Sequence, residues 1–239
     1  MSLYRDQGVV LRTWKLGEAD RIVSLLLRDH GRVRAVAKGV RKPTSRFGAR
    51  LEPTSHVSLQ CHRGKGDLDT ITQVELLDHH PHIRGDLDRF GHAAAMLEAV
   101  ENLTPERQPH PELYEMLHRV LRTLDASPSP LVGAAFFVKL LALEGVEPQV
   151  EGCVHCGAPE PLVAFDLEGG GLTCPACRRG VAVRPESVEL LQQILGGQLR
   201  LALAAAPSAA THEVDHLATR LVEHHLERRL RSMRVIELG

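Results

Sequence analysis

Several things are scarce in this sequence of 239 residues. No apolar run approaches the ~18–20 residues that a membrane-spanning helix requires. The longest stretch, Leu131–Leu143, is short and is broken by Lys139. The start, Met1-Ser2-Leu3-Tyr4-Arg5-Asp6, lacks the apolar centre of a secretory leader, so a cytoplasmic protein is expected. Five cysteines are too few for a disulfide-braced scaffold. Aromatic residues make up only 3% of the chain, with a single tryptophan. Phosphate-cradling glycine signatures are missing: there is no Walker A loop, and no G-x-G-x-x-G follows a strand. Gly169-Gly170-Gly171 is expected to be a turn. With 43% hydrophobic and 25% charged residues, the composition excludes a disordered chain, a collagen and a coiled-coil rod.

The formal net charge of −1 hides a segregation. Within residues 1–50, twelve basic residues oppose four acidic ones, a net of +8, and the remainder therefore carries −9. Such asymmetry is the footprint of a surface for a polyanion, the plain alternative being a solvated face. The same region reads as strands up to about residue 78. Val9–Trp14 and Ile22–Leu27 are short, β-branched and bounded by glycines. Arg32–Lys38 alternates, so that Val33, Ala35 and Ala37 point one way and Arg32, Arg34 and Lys38 the other. His56–Cys61 and Asp69–Leu76 form a hairpin joined by Arg63-Gly64-Lys65-Gly66-Asp67. Five strands in this length suit a small barrel of the OB type, one of several all-β solutions open to such a pattern.

From about residue 82 the hydrophobic period becomes helical. Phe90, Ala93, Ala94, Leu97 and Val100 mark one helix, ending near Thr104-Pro105. Leu113, Leu117, Val120, Leu121 and Leu124 mark a second. Ser129-Pro130 caps a third, Leu131–Glu144, which is apolar nearly all round and therefore central, and Gly145 stops it. Residues 185–195 resume the pattern. After a low-complexity stretch, Ala202–Ala210, a last helix is expected from Thr211 to Ser232. That helix would carry Arg220, Arg228, Arg229, Arg231 and Arg234, diluted by Glu223, Glu227 and Glu237. It reads as a solvated face on which an acidic peptide could also dock. His79, His80 and His82 read as a polar linker.

His212-Glu213-Val214-Asp215-His216 matches the HExxH pattern of zinc hydrolases. Its context disagrees. Val214, Leu217, Ala218 and Leu221 share the buried face of that helix, which leaves His212 and His216 on the solvated side. The conceivable third ligand, Glu237, lies near the end of the chain. The zinc-deaminase order is absent as well.

The strongest local signal is Cys153-x-x-Cys156 followed, after seventeen residues, by Cys174-x-x-Cys177. Two such knuckles supply four thiolates to one tetrahedral ion, and a closed shell of four cysteines makes a structural rather than a catalytic Zn2+. Phe165–Leu172 would be the hairpin between the knuckles, giving a zinc ribbon over about residues 151–180. Cys61 lies on a strand outside this pattern and reads as a small packing residue.

The runs Leu16-Gly17-Glu18-Ala19-Asp20-Arg21-Ile22-Val23, Gly31–Lys42, Ser45-Arg46-Phe47-Gly48 and Leu51-Glu52-Pro53 together resemble the bacterial RecO family of DNA repair proteins and recombination mediators. The likeness is strongest over residues 7–78, and in layout it extends along the whole chain. The resemblance implies an α+β multidomain fold. An N-terminal OB-fold β-barrel would span 1–80, an α-helical domain 81–150 and 181–239, and an inserted zinc ribbon 151–180. It implies a non-enzymatic, cytoplasmic and nucleoid-associated protein that binds single- and double-stranded DNA and anneals complementary strands. It also implies work with RecR, contact with the C-terminal tail of single-stranded DNA-binding protein, and help in loading RecA. The candidate phosphate contacts are Arg32, Arg34 and Lys38 on the alternating strand, Arg41, Lys42, Arg46 and Arg50 on the loop, and Arg63 and Lys65 at the hairpin tip. Such contacts carry little sequence preference. Trp14 and Phe47 are the two stacking platforms the barrel offers. Strand aromatics pack inward more often, so affinity is expected to rest on charge. The alternatives from other classes are a zinc-dependent hydrolase using His212, Glu213 and His216, and a zinc-ribbon adaptor that binds only proteins.

Overall fold

The computed structural model describes residues 2–42, 45, 47–127 and 129–232. The β-branched, glycine-punctuated first third forms five strands: β1 (Leu3–Leu16), β2 (Asp20–Leu27), β3 (Gly31–Ala37), β4 (His56–His62) and β5 (Leu68–Asp78). They close into a barrel in the order β1-β2-β3-β5-β4, antiparallel except for the parallel β3–β5 pair. This is an OB-fold. β1 serves two neighbours. Leu3–Val9 pairs with β4 and Gly8–Leu16 with β2, and the ladder skips Leu11 in a bulge. Alternate residues fill the interior: Val23, Leu25 and Leu27 from β2, Val33, Ala35 and Ala37 from β3, Val57, Leu59 and Cys61 from β4, and Ile71 from β5. Each large aliphatic side chain buried in this way contributes about 1.5–3 kcal/mol. Phe47 and Leu51, from the connection between β3 and β4, join the same core.

The turn between β2 and β3 depends on Gly31. Its φ is +68°, and a Cβ there would stand 2.0 Å from the carbonyl oxygen of Gln108. Glycine alone fits both the backbone conformation and this close approach.

Three helices belong to the same compact unit as the barrel: α1 (Pro81–Gly85), α2 (Leu87–Leu103) and α3 (Pro111–Ala126). The Asp86 side chain caps α2 by accepting from Arg89 N at 3.0 Å. Leu113, Tyr114, Leu117, Leu121 and Leu124 form the buried stripe of α3. Asp125 accepts from Ile83 N at 2.9 Å and so ties the end of α3 to α1. Leu230, Arg231 and Ser232 also belong to this unit. Glu98 on α2 accepts from the backbone N–H groups of Arg231 (3.1 Å) and Ser232 (3.0 Å), and from the Ser232 hydroxyl.

The second unit spans 127–229. The apolar segment becomes α4 (Val132–Leu143), buried over nearly all its surface. The cysteine region holds a small sheet, β6 (Ala164–Asp166), β7 (Gly171–Thr173) and β8 (Val181–Ala182), in the order β7-β6-β8. Helices α5 (Pro185–Leu195), α6 (Leu199–Leu203) and α7 (Ala209–His225) follow. A reciprocal capping box between Ser208 and Thr211 starts α7. Its buried face carries Val214, Leu217, Ala218 and Leu221, as the period predicts.

Two expectations need correction. The last helix stops at His225, well short of Ser232, because Glu227 adopts a left-handed φ of +52° just beyond it. Arg228, Arg229 and Arg231 therefore lie past the helix and cannot form i,i+4 pairs along it, while Arg234 and Glu237 lie outside the described residues. The histidine junction is a polar linker only in part: His79 and His82 are exposed. His80 is buried, with its Nδ1 at 2.9 Å from the Thr54 carbonyl oxygen.

Candidate nucleic-acid interface and metal centre

On β3 the expected alternation holds: Val33, Ala35 and Ala37 are buried, whereas Arg32, Arg34 and Val36 are half-buried on the outside. The two arginines are engaged. Arg32 donates from Nε to the Thr104 carbonyl at 2.8 Å and pairs with Glu106 at 3.3 Å. Arg34 pairs with the same carboxylate at 2.7 Å. A short stretch after α2 brings Glu106 there, running beside β3 with Arg107 N donating to Arg32 O at 2.8 Å. Arg107 has a φ of +60° and its guanidinium holds Asp69 at 3.0 Å. Fully buried Asp69 also accepts from the Tyr4 hydroxyl at 2.6 Å and from Gly64 N at 3.0 Å. Burial alone would raise the Asp69 pKa, but the hydrogen bonds from Arg107, Tyr4 and Gly64 outweigh it and hold the carboxyl below its usual range. Glu106 and Arg107 escaped the sequence reading. They act on strands 30–75 residues away, and no local pattern announces that pairing.

The remaining predicted cations fall into two groups. The segment after β3 docks on the β1–β2 turn: Gly39 N donates to Asp20 Oδ1 (2.7 Å), Arg41 N to Ala19 O (3.0 Å), and Arg41 Nη1 to the Glu18 carbonyl (2.9 Å). Those acceptors position Arg41, and its two side-chain acceptors, Gly17 O and Glu18 O, are uncharged carbonyls. Lys38, Arg41, Lys42 and Arg50 are exposed. Arg46 lies outside the described residues. Arg63 and Lys65 are exposed on the β4–β5 turn. Because Leu68 pairs with Arg34 and runs parallel to β3, that turn lies toward the Gly31 end, and the 38–50 segment leaves from the other end. Among the described residues, Lys38, Lys42, Arg63 and Lys65 form no ion pair. Nearby, Arg21 pairs with Glu52 at 2.6 Å.

The two aromatics part company. Phe47 is buried in the barrel core. Trp14 is half-buried on the outside, with the Arg12 guanidinium carbon 5.0 Å from its ring centroid.

The four cysteines converge. Sγ atoms of Cys153, Cys156, Cys174 and Cys177 all lie within 4.8 Å of one another, and none forms a disulfide. Cys156 and Cys174 stand 3.7 Å apart, against about 3.8 Å for the edge of a tetrahedron with 2.3 Å metal–sulfur bonds. The knuckles are shaped by backbone hydrogen bonds. Cys153 N donates to Ala158 O (2.7 Å), Gly157 N to Cys153 O (2.8 Å) and Val154 N to Leu172 O (2.8 Å). Gly180 has a φ of +81°, and a Cβ there would sit 1.9 Å from Phe165 O. His155, between the first two cysteines, contacts Asp166 at 3.0 Å and ties the first knuckle to the hairpin. Backbone N–H groups, that of Cys174 first, lower the Cys153 thiol to about 6. Crowding by its neighbours, Cys156 first, pushes Cys177 up to about 12. Four thiolates at this separation repel one another, and a bound dication removes that conflict. The donor set and spacing therefore fit one structural metal ion. Cys61, by contrast, is buried in the barrel, where desolvation pushes its thiol up to about 12.

The HExxH residues are differently employed. His212 and His216 are exposed, their Nε2 atoms 3.0 Å apart. Glu213 accepts from Arg184 N at 2.7 Å and pairs with its guanidinium. Among the described residues, the four cysteines form the only group of three or more potential ligands.

Other chains are similar to this one in sequence. Residues 1–80 match the family model for the N-terminal part of recombination protein O, and residues 84–234 match the model for its C-terminal part. The chain is 44% identical to the DNA repair protein RecO of Frankia casuarinae and 43% identical to that of Thermobifida fusca. Each of these comparisons covers 99% of both chains. Barrel, helices and cysteine ribbon thus occur in a chain that belongs to the RecO family of DNA repair proteins.

Proposed function

We propose that this protein is a non-enzymatic recombination mediator that holds DNA by its sugar-phosphate backbone. The observation that carries the reading is the run of exposed cations after β3, Lys38, Arg41 and Lys42, anchored on the β1–β2 turn by hydrogen bonds that leave their charge unneutralised. Phosphates would displace counterions from this surface, and binding would be weakened by salt and largely indifferent to sequence. Arg46 and Arg50 extend the same segment, and Arg63 and Lys65 supply a second contact on the β4–β5 turn. Arg32 and Arg34 are secondary, since Glu106 already offsets them. Annealing requires no bond chemistry: two strands held on a cationic surface repel each other less. Membership of the RecO family supports the finer reading, in which the protein acts with RecR on strands coated by single-stranded DNA-binding protein, contacts that protein's C-terminal tail and aids RecA loading. The thiolate donor set supports Zn2+ as the ion, in a bracing role.

The test is a salt titration of binding to single- and double-stranded oligonucleotides, read by fluorescence anisotropy. Charge reversal at Lys38, Arg41 and Lys42 is expected to weaken binding to every sequence and to shallow the single-strand log–log salt slope by about 2. No binding, or binding indifferent to salt, overturns the proposal.

A further inference from the structure

The single tryptophan stands where few strand aromatics stand, on the outside of the barrel. Arg12, Trp14 and Leu16 alternate outward on β1, and the ladder sets Trp14 opposite Ile22 and Ile22 opposite Val36. Trp14, Ile22 and Val36 are all half-buried, so one apolar row crosses β1, β2 and β3. The next row is Arg12, Ser24 and Arg34, whose arginines meet acids of the helical part, Glu101 at 3.9 Å and Glu106 at 2.7 Å. On the other side of the apolar row lies the β1–β2 turn, and it is on this turn that Gly39 and Arg41 dock. Exposed Lys38, Arg41 and Lys42 therefore border the row on its open side. Arg12 steadies the indole from 5.0 Å by a cation–π contact.

An apolar, aromatic strip edged by cations is complementary to a chain that offers phosphates and π-faces together. We infer that Trp14, with Ile22 and Val36 beside it, is a platform on which an unpaired base stacks. The barrel then takes single-stranded nucleic acid in preference to duplex, whose base faces are closed. This rests on the DNA-binding reading above and extends it from charge to strand type. It adds a stacking contribution to an affinity expected to rest mainly on charge.

Because there is one tryptophan, its emission reports on this place alone. The full-length protein is titrated with oligothymidylate, with duplex DNA of the same length, and with inorganic polyphosphate as an anion without bases. Oligothymidylate is expected to quench the emission, and polyphosphate and duplex to bind with little quenching. Trp14→Ala is expected to lose roughly ten-fold in affinity for oligothymidylate with its salt slope unchanged, and Trp14→Phe to retain most of it. Circular dichroism verifies that both variants fold, and if Trp14→Ala does not, Trp14→Phe with the quenching comparison decides. Equal quenching by polyphosphate, or wild-type affinity in folded Trp14→Ala, overturns the stacking proposal and leaves charge-driven binding standing. Failure of the wild type to bind any oligonucleotide overturns both.

Discussion

Arg34 meets Glu106 at 2.7 Å across a separation of 72 residues in sequence. The contact turns a side chain that strand alternation aims at solvent into half of an ion pair. Arg32 leans on the same carboxylate. One acid from the stretch after α2 thus offsets two cations, and the excess charge of the N-terminal region is left to the neighbouring loop and hairpin. Both arginines keep partial exposure, so the pairs add at most about 1 kcal/mol each to stability.

Glu106→Gln is expected to release both guanidinium groups. Single-strand affinity at low salt should rise roughly three- to ten-fold, and the salt slope should steepen by about 1 to 1.4. Anisotropy titrations at several salt concentrations check this. An unchanged slope would mean that nucleic acid does not reach this part of β3.

Acid should loosen the first unit through its histidines. His56 Nε2 lies 2.7 Å from the Tyr114 hydroxyl on α3, and its ring centroid is 4.0 Å from that of His118. Burial first, then the neighbouring His118 and His80, lowers His56 to about 4. His80 and His118 shift the same way, burial again leading. A depressed histidine is neutral when folded, whereas the unfolded chain takes up a proton near 6.5. Protons therefore favour unfolding, and stability is lost as pH falls from about 6.5 towards 4. The loss is at most about 3 kcal/mol for His56. Calorimetry across this window should show the melting temperature falling, and His56→Phe should flatten the fall.

Disabling the four-cysteine cluster should act on the fold. Cys174→Ser, or a strong chelator, is expected to remove one zinc per chain and to lower the thermal stability of the second unit. His212→Ala should keep the ion. Elemental analysis beside melting curves distinguishes these outcomes, and a second, histidine-dependent ion would revive the hydrolase alternative.

Gly31→Ala should destabilise the protein by about 3 kcal/mol or more, because it combines a left-handed φ with a collision against the Gln108 carbonyl. Denaturant midpoints measure this. A neutral result would require the stretch bearing Glu106 to move away from the β2–β3 turn.

Local regularities carried much of this architecture into the sequence. The period of two along Arg32–Lys38, the glycine turns and the paired CxxC knuckles each state a geometry within a few residues, and the barrel and the cysteine cluster follow from them. Family resemblance narrowed the barrel to the OB type. What stayed hidden depends on partners far along the chain or on rare backbone states. Nothing near Arg34 names Glu106. Nothing around His80 says that its ring is buried against Thr54 O rather than solvated. The run from Thr211 onward is helical in composition, and the left-handed turn at Glu227 that ends it belongs to a residue type that seldom adopts one. Trp14 was legible as an aromatic on a strand, but the side it takes is settled by the bulge at Leu11, where the ladder passes from Val10 to Arg12 and shifts the alternation.

The carboxylate of Glu98 has an implication for how the chain is made. Its amide donors, Arg231 and Ser232, follow the whole of the second unit in sequence. During vectorial synthesis the four-cysteine segment therefore leaves the ribosome before the residues that supply the barrel-bearing unit's closing hydrogen bonds. A chain truncated before residue 230 should keep the four-cysteine cluster and an α2 whose Glu98 lacks those two amide donors.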